Sequence, residues 1–211
     1  MKNYRMTMFA LASSLLFFAS CSKEPLKNMT EDESRIYITN HDSTVAFGSY
    51  NTFSITDSVA VVNNGKLEDK SNTALDQQFI AAIKLEMQGR GYTLVNKDQN
   101  PDLGISLSEI NNTYTGVVTY PSYWDGYGGY WDPYYWGYGG YPYYGSYAGV
   151  YSVTDVALST DMFDLKNASS TGKIKSVWSG VIRGSGIFNP SNVNSQVNAL
   201  FSQSQYIQSG N

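Results

Sequence analysis

Residues 73–88 read TALDQQFIAAIKLEMQ, and their spacing decides what kind of fold this chain makes. Leu75, Phe79, Ala82, Ile83 and Met87 recur at intervals of three and four and form one apolar stripe, the pattern of an amphipathic helix. Asn72 or Thr73 caps its start, and Asp76 sits in the first turn, where the helix dipole favours an acid. Gly89 and Gly91 stop it. Such a helix is about 24 Å long. Burying its large apolar side chains contributes on the order of 6–12 kcal/mol before chain entropy is counted. That docks a helix on a sheet but does not let it stand alone.

The flanks supply the sheet. Upstream, Ile36-Tyr37-Ile38 and Val45-Ala46-Phe47, running on to Tyr50, Phe53 and Ile55, are rich in β-branched and aromatic residues, which suit a pleated, half-buried surface. Asn63-Asn64-Gly65 is a turn signal. Downstream, Tyr92 to Val95 reads as a short strand and Asn96 to Asp102 as a turn. Leu103, Ile105 and Leu107 then share one face of the next strand. Val150 to Leu165 alternates again, Lys166 to Gly172 reads as a hairpin loop, and Ile174 to Ile182 as a strand. Pro190-Ser191-Asn192 opens a last helix with Val193, Val197, Leu200 and Phe201 on one side. Many strands and two helices predict an α+β domain over residues 35–207. Its sheet should be largely antiparallel or mixed, with both helices packed on one face.

A long insert interrupts this order. Residues 120–151 hold twelve of the 18 Tyr and three of the four Trp, interleaved with Gly, Pro and Ser. No helical or strand period survives the glycines, so the segment reads as a low-complexity loop. Four uses fit it. It is a drifted surface loop, a glycan-stacking surface built on Tyr123, Trp124, Trp131 and Trp136, an element for a membrane interface, or a self-associating sticker segment.

The N-terminus sets the compartment. Lys2 and Arg5 precede an apolar run from Met6 to Ala19, too short to cross a bilayer, which takes roughly 20 residues. Residues 1–20 therefore read as a secretory signal. Phe18-Ala19-Ser20-Cys21 looks like a lipobox, which implies cleavage before Cys21 and lipid on its sulfur. Cys21 is the single cysteine of the chain, and lipidation explains an unpaired thiol in an exported protein. Two or three acyl chains anchor stably where one does not. The expected partner is thus a membrane, the outer one, with the domain facing periplasm or exterior. Residues 21–34 are the lipidated cysteine and a polar tether of at most about 45 Å. Without residues 1–20 the chain carries 12 Lys and Arg against 18 Asp and Glu, a net charge near −6. That argues against a phosphate-neutralising surface, so no nucleic-acid partner is expected.

Signs of catalysis are few. His41 is the only histidine, so neither a His-based metal site nor a second His for acid-base work exists. No P-loop, dinucleotide motif or serine elbow is present, and no cofactor is expected. Carboxylate chemistry would have to use Asp102, Glu109, Asp155, Asp161 or Asp164.

Several short motifs resemble the bacterial lipoproteins grouped as domain of unknown function 4136. They are Phe47-Gly48-Ser49-Tyr50-Asn51-Thr52-Phe53, Gly89-Arg90-Gly91-Tyr92, Asn100-Pro101-Asp102-Leu103 and Val177-Trp178-Ser179-Gly180. Where this chain has Ser179, that family usually carries a basic residue. The resemblance spans Phe47 to Phe201 and implies an envelope lipoprotein with a compact α/β domain and no assigned activity. The expectation is a non-enzymatic binding or assembly module whose partner is a glycan or an envelope protein, with a glycan- or peptidoglycan-binding protein and a carboxylate hydrolase as alternatives.

Overall fold

The computed structural model describes residues 29–63, 66–111, 117–119, 135–137, 143–145, 150–152 and 156–210. The chain enters through a four-residue helix, α1 (Glu31–Ser34), closed by a capping box between Thr30 and Glu33. The Ser34 hydroxyl accepts the Ser185 N–H at 3.2 Å, so the end of the predicted tether is fastened to the domain.

The strands are β1 (Ile36–His41), β2 (Thr52–Asn63), β3 (Lys66–Ser71), β4 (Thr93–Leu94), β5 (Leu103–Asn111), β6 (Val117–Thr119), β7 (Tyr143–Gly145), β8 (Val150–Ser152), β9 (Ala157–Asp164) and β10 (Ile174–Arg183). Eight of them form one open sheet in the order β1-β10-β9-β5-β2-β3, with β4 beside β2 and β7 beside β10; β6 and β8 pair separately. The sheet is mixed. β2 runs parallel to β5 and β4, β7 runs parallel to β10, and the other pairs are antiparallel. This is the predicted α+β class.

The helix that set the prediction is α2 (Ala74–Gly89), capped by Thr73, with Asp76 returning the bond to the Thr73 backbone. It lies with α4 (Val193–Ser202) on one face of the sheet. Between them is a continuous core of Phe79, Ile83 and Met87 from α2, Val197, Leu200 and Phe201 from α4, and Phe53, Leu103, Ile105, Met162 and Trp178 from the strands. The centre of the sheet is buried on both faces. Every residue of β9 is buried, which is why its sequence carries apolar residues on both parities.

Four local readings change. The stretch around Phe47 is a 3-10 turn (Phe47–Ser49), and the strand begins only at Thr52. The cause lies far along the chain. The Asp102 carboxylate accepts the Asn51 and Thr52 N–H groups at 2.7 and 3.2 Å, and the Thr52 hydroxyl accepts the Asp102 N–H at 2.9 Å. β3 has no alternating apolar pattern and was not anticipated. The loop 166–172 holds a helix, α3 (Ala168–Thr171), ended by Gly172 at φ 64°. Within the insert, β7 and β8 are strands despite the glycines, because β10 and β6 supply their backbone partners.

Beyond β1, Asp42 ties the turn to β10. Its buried carboxylate pairs with Lys175 and accepts the Thr44 N–H and hydroxyl at 2.9 and 2.7 Å. Burial alone would raise its pKa, but the Lys175 ammonium and the Thr44 bonds outweigh that and hold it at about 2. A depressed carboxylate stabilises the fold above its ordinary pKa and loses that contribution as pH falls through the folded value. Asp42→Asn should therefore cost about 1–2 kcal/mol at pH 7, discounted for the partly exposed lysine. The gap to the parent in urea denaturation should close between about pH 4 and pH 2. A gap independent of pH would refute the ion pair as its source.

Candidate functional site

The outer edge of β2 is only partly covered. β4 pairs with it at Thr52 and Phe53, and β3 pairs from Val59 onward. Between them Thr56, Asp57 and Ser58 pair with neither side, because the β2–β5 register also jumps from Ile55 to Val59. This extended bulge bends the strand outward. It leaves a groove of about 500 Å³ floored by Ser54, Ile55 and Asp57. Lys84 of α2 forms one wall, and Leu94 to Gln99 with Tyr135 form the other.

Tyr135 brings the aromatic insert into this groove. The Lys97 ammonium lies 5.0 Å from its ring centroid and donates to its carbonyl at 3.4 Å. A cation held on a ring face is worth on the order of 0.5–1 kcal/mol at an exposed site, which fixes the ring as a wall. Lys84 and Asp98 contribute charges to the same lining. The lining thus combines apolar surface and one aromatic ring with charges of both signs.

The residues singled out from sequence are distributed otherwise. Cys21, Tyr123, Trp124 and Trp131 lie outside the described residues. Trp136 is only 5% exposed. Its ring lies over Gly104, where an added Cβ would come within 3.3 Å of its Cε2, and it stands edge-on to Tyr135 at 4.9 Å. It supports the Tyr135 ring from behind. Tyr135 was missed because nothing in a run of near-identical aromatics marks which one meets a gap formed by distant strands.

Four of the five candidate acids have hydrogen-bond partners within the domain. Asp102 holds the start of β2, as described above. Asp164 accepts the Asn167 backbone N–H at 3.0 Å and the Asn167 side-chain amide at 2.7 Å, shaping the turn into α3. Tyr50 is buried near Asp164, Asp42 and Asp102; burial first, and then those carboxylates, drive its hydroxyl far above the ordinary range and keep it neutral. Glu109 accepts from the Asn111 amide at 3.1 Å. Asp161 is buried on the face opposite the helices, where cross-strand register sets it between Ser106 and Ser179, and it accepts the Ser159 hydroxyl at 2.9 Å. Asp155 lies outside the described residues. Among the described residues no group of three or more His, Cys, Asp or Glu could hold a metal ion.

An open mixed sheet with two helices on one face and a groove at its edge defines an α+β domain. Its family follows from comparison with known proteins. The chain belongs to the family described as Domain of unknown function (DUF4136), whose model matches residues 38–204. A DUF4136 family protein from Bacteroides thetaiotaomicron, solved by crystallography, is 30% identical, with a TM-score of 0.69 over 84% of this chain and 99% of that one. Two fainter likenesses are each 13% identical over 84% of this chain. They are a PDZ domain protein from Parabacteroides distasonis (37% of that chain, TM-score 0.45) and a PelC dodecamer from Paraburkholderia phytofirmans (99% of that chain, TM-score 0.39). No curated protein matches the chain.

Proposed function

We propose that this chain is a lipoprotein of the bacterial outer membrane, anchored through lipid on Cys21, and that its domain binds an envelope polymer in the β2-edge groove without catalysis. The observation that carries the binding is the groove itself, lined by Tyr135, steadied by Lys97, and by Lys84 beside the bulge of β2. The anchor is supported by the signal-like residues 1–20 and the lone cysteine that follows them. The reading without catalysis is supported by Asp102 and Asp164, whose carboxylates are engaged at a strand start and a turn. A sugar polymer suits the lining, because a tyrosine face accepts sugar C–H groups while lysine and carboxylate meet hydroxyls and charges.

Two measurements test this. Fatty-acid labelling of cells should mark the parent and not Cys21→Ser; equal labelling would sink the anchor. Peptidoglycan or purified envelope polysaccharide should retain the chain, and Tyr135→Ala should weaken retention at least tenfold. Retention unchanged in Tyr135→Ala would move the ligand away from this groove. Turnover of either polymer, abolished by Asp161→Asn, would replace binding by hydrolysis.

A further inference from the structure

The two long edges of the sheet are built differently. β3 carries Lys66, Glu68, Asp69 and Lys70, the charged composition that keeps an edge from pairing with another strand. β1, at the other edge, reads IYITNH, with no Lys, Arg, Asp or Glu and no proline. Its inner side is paired along its whole length to β10, from Ile36 opposite Arg183 to His41 opposite Trp178. The Asp42 N–H donates to the Val177 carbonyl at 3.0 Å. Antiparallel ladders alternate every residue, so Ile36, Ile38 and Asn40 turn their peptide groups toward β10. Tyr37, Thr39 and His41 turn theirs outward. Among the described residues, no strand pairs with that outer side.

We infer that β1 is a self-association edge that pairs antiparallel with β1 of a second copy, about a two-fold axis at Ile38. Charge permits this self-pairing at β1 and opposes the same pairing at β3. In this register Ile38 meets its own copy, Ile36 meets Asn40, and Tyr37 meets Thr39, with no like charges opposed. Centring β3 on Glu68 or Asp69 sets each acid against itself, which is destabilising. The outward peptide groups of Tyr37 and Thr39 meet in hydrogen-bonded pairs, four bonds in all. On the face away from the helices, the two Ile38 side chains and the exposed Ile36 cover one another. Ile36 is 44% exposed in the single chain, a site where an edge normally places a charge. One strand pair is a small contact beside the ~1,200 Å² of stable dimers. The association therefore draws on the raised local concentration that the proposed lipid anchor provides.

Cysteine cross-linking of the full-length chain in its membrane tests the register. An Ile38–Ile38 pair is of the non-hydrogen-bonded kind, with Cα atoms about 4.5 Å apart, inside the range a disulfide bridges. The two Ile36 residues of such a dimer are about 13 Å apart. Under mild oxidation Ile38→Cys should become mostly disulfide dimer. Ile36→Cys, although more exposed, should give under a tenth as much. The double variant Ile36→Cys with Asn40→Cys should dimerise again, since those positions face each other between copies. Glu68→Cys on β3 should stay monomeric. Ile36→Cys cross-linking as well as Ile38→Cys, or no dimer from either Ile38→Cys or the double variant, would overturn the pairing. Adding Cys21→Ser should lower the Ile38→Cys dimer at least tenfold at equal protein concentration. An undiminished dimer would keep the strand pairing and remove the anchor's part in it.

Discussion

Valine at position 180 is expected to destabilise the domain by about 3 kcal/mol or more, an unusually large effect for adding three carbons. Gly180 lies two residues beyond Trp178 on the helix-facing side of β10, and the indole folds back over it. A Cβ built on Gly180 would stand 2.5 Å from Trp178 Cη2, 2.9 Å from Cζ2 and 3.0 Å from Leu200 Cδ1. The ring cannot step aside cheaply. It is fully buried, its Nε1–H donates to the Ser204 hydroxyl at 2.9 Å, and it packs against Phe201 with centroids 5.5 Å apart. Moving it strands a buried donor, at about 1–3 kcal/mol, or pushes α4 off the sheet. Alanine at the same position should cost about 2 kcal/mol, near the middle of the overpacking range. The clash, rather than the strand, should carry this loss. In a Trp178→Leu background the penalty for Gly180→Ala should fall below half its value, measured by urea denaturation in a double-mutant cycle. Additive penalties would show that the indole is not the obstacle.

That pair shows what the sequence made legible and what it did not. The α2 stripe, the α4 stripe and the parity of β5 are local periodicities, and the structure keeps them. Trp178 could be assigned to a strand, but the need for glycine at 180 comes from a rotamer settled by Ser204, beyond the end of α4. The same holds for Asp102. It looked like one acid among five candidates, and only its pairing to Asn51 and Thr52, some fifty residues upstream, shows that it starts a strand. The charged β3 had no alternating apolar signal, since its partner β2 supplies the ladder and Glu68, Asp69 and Lys70 are exposed. The groove was least legible of all. It exists because β3 and β4 stop short of one another along β2, a property of register and not of composition. The aromatic insert advertised itself by composition, and composition favoured its tryptophans. The structure buries Trp136 and gives the groove wall to Tyr135.

Arg90→Ala should cost about 3 kcal/mol, because one guanidinium holds the ends of both long helices and the C-terminal segment together. Its Nη2 donates to the Phe201 carbonyl at 2.8 Å, and its Nη1 reaches the Ser204 and Ile207 carbonyls at 3.3 and 3.1 Å. The guanidinium carbon lies 5.2 Å from the Phe201 ring centroid, and the Arg90 carbonyl accepts the Ser209 N–H at 3.0 Å. The last carbonyls of a helix lack partners within it and carry the negative end of its dipole. Arg90 supplies a cation and several donors to that end of α4 from the far end of α2. Bonds of this charged kind contribute about 1.5–3 kcal/mol each when fully desolvated. The site keeps some contact with water, since the side chain is 15% exposed, so the sum falls well short of three full bonds. Lysine keeps the charge but lacks the planar fork, and Arg90→Lys should recover less than half of the loss. The measurement is the urea midpoint at unchanged slope, joined to hydrogen exchange of the Ile207 and Ser209 amides. Both amides should lose protection in Arg90→Ala by more than the global loss of stability explains, because the segment they anchor opens first. If Arg90→Lys is as stable as the parent, a point charge suffices and the three-carbonyl clamp is not what secures α4.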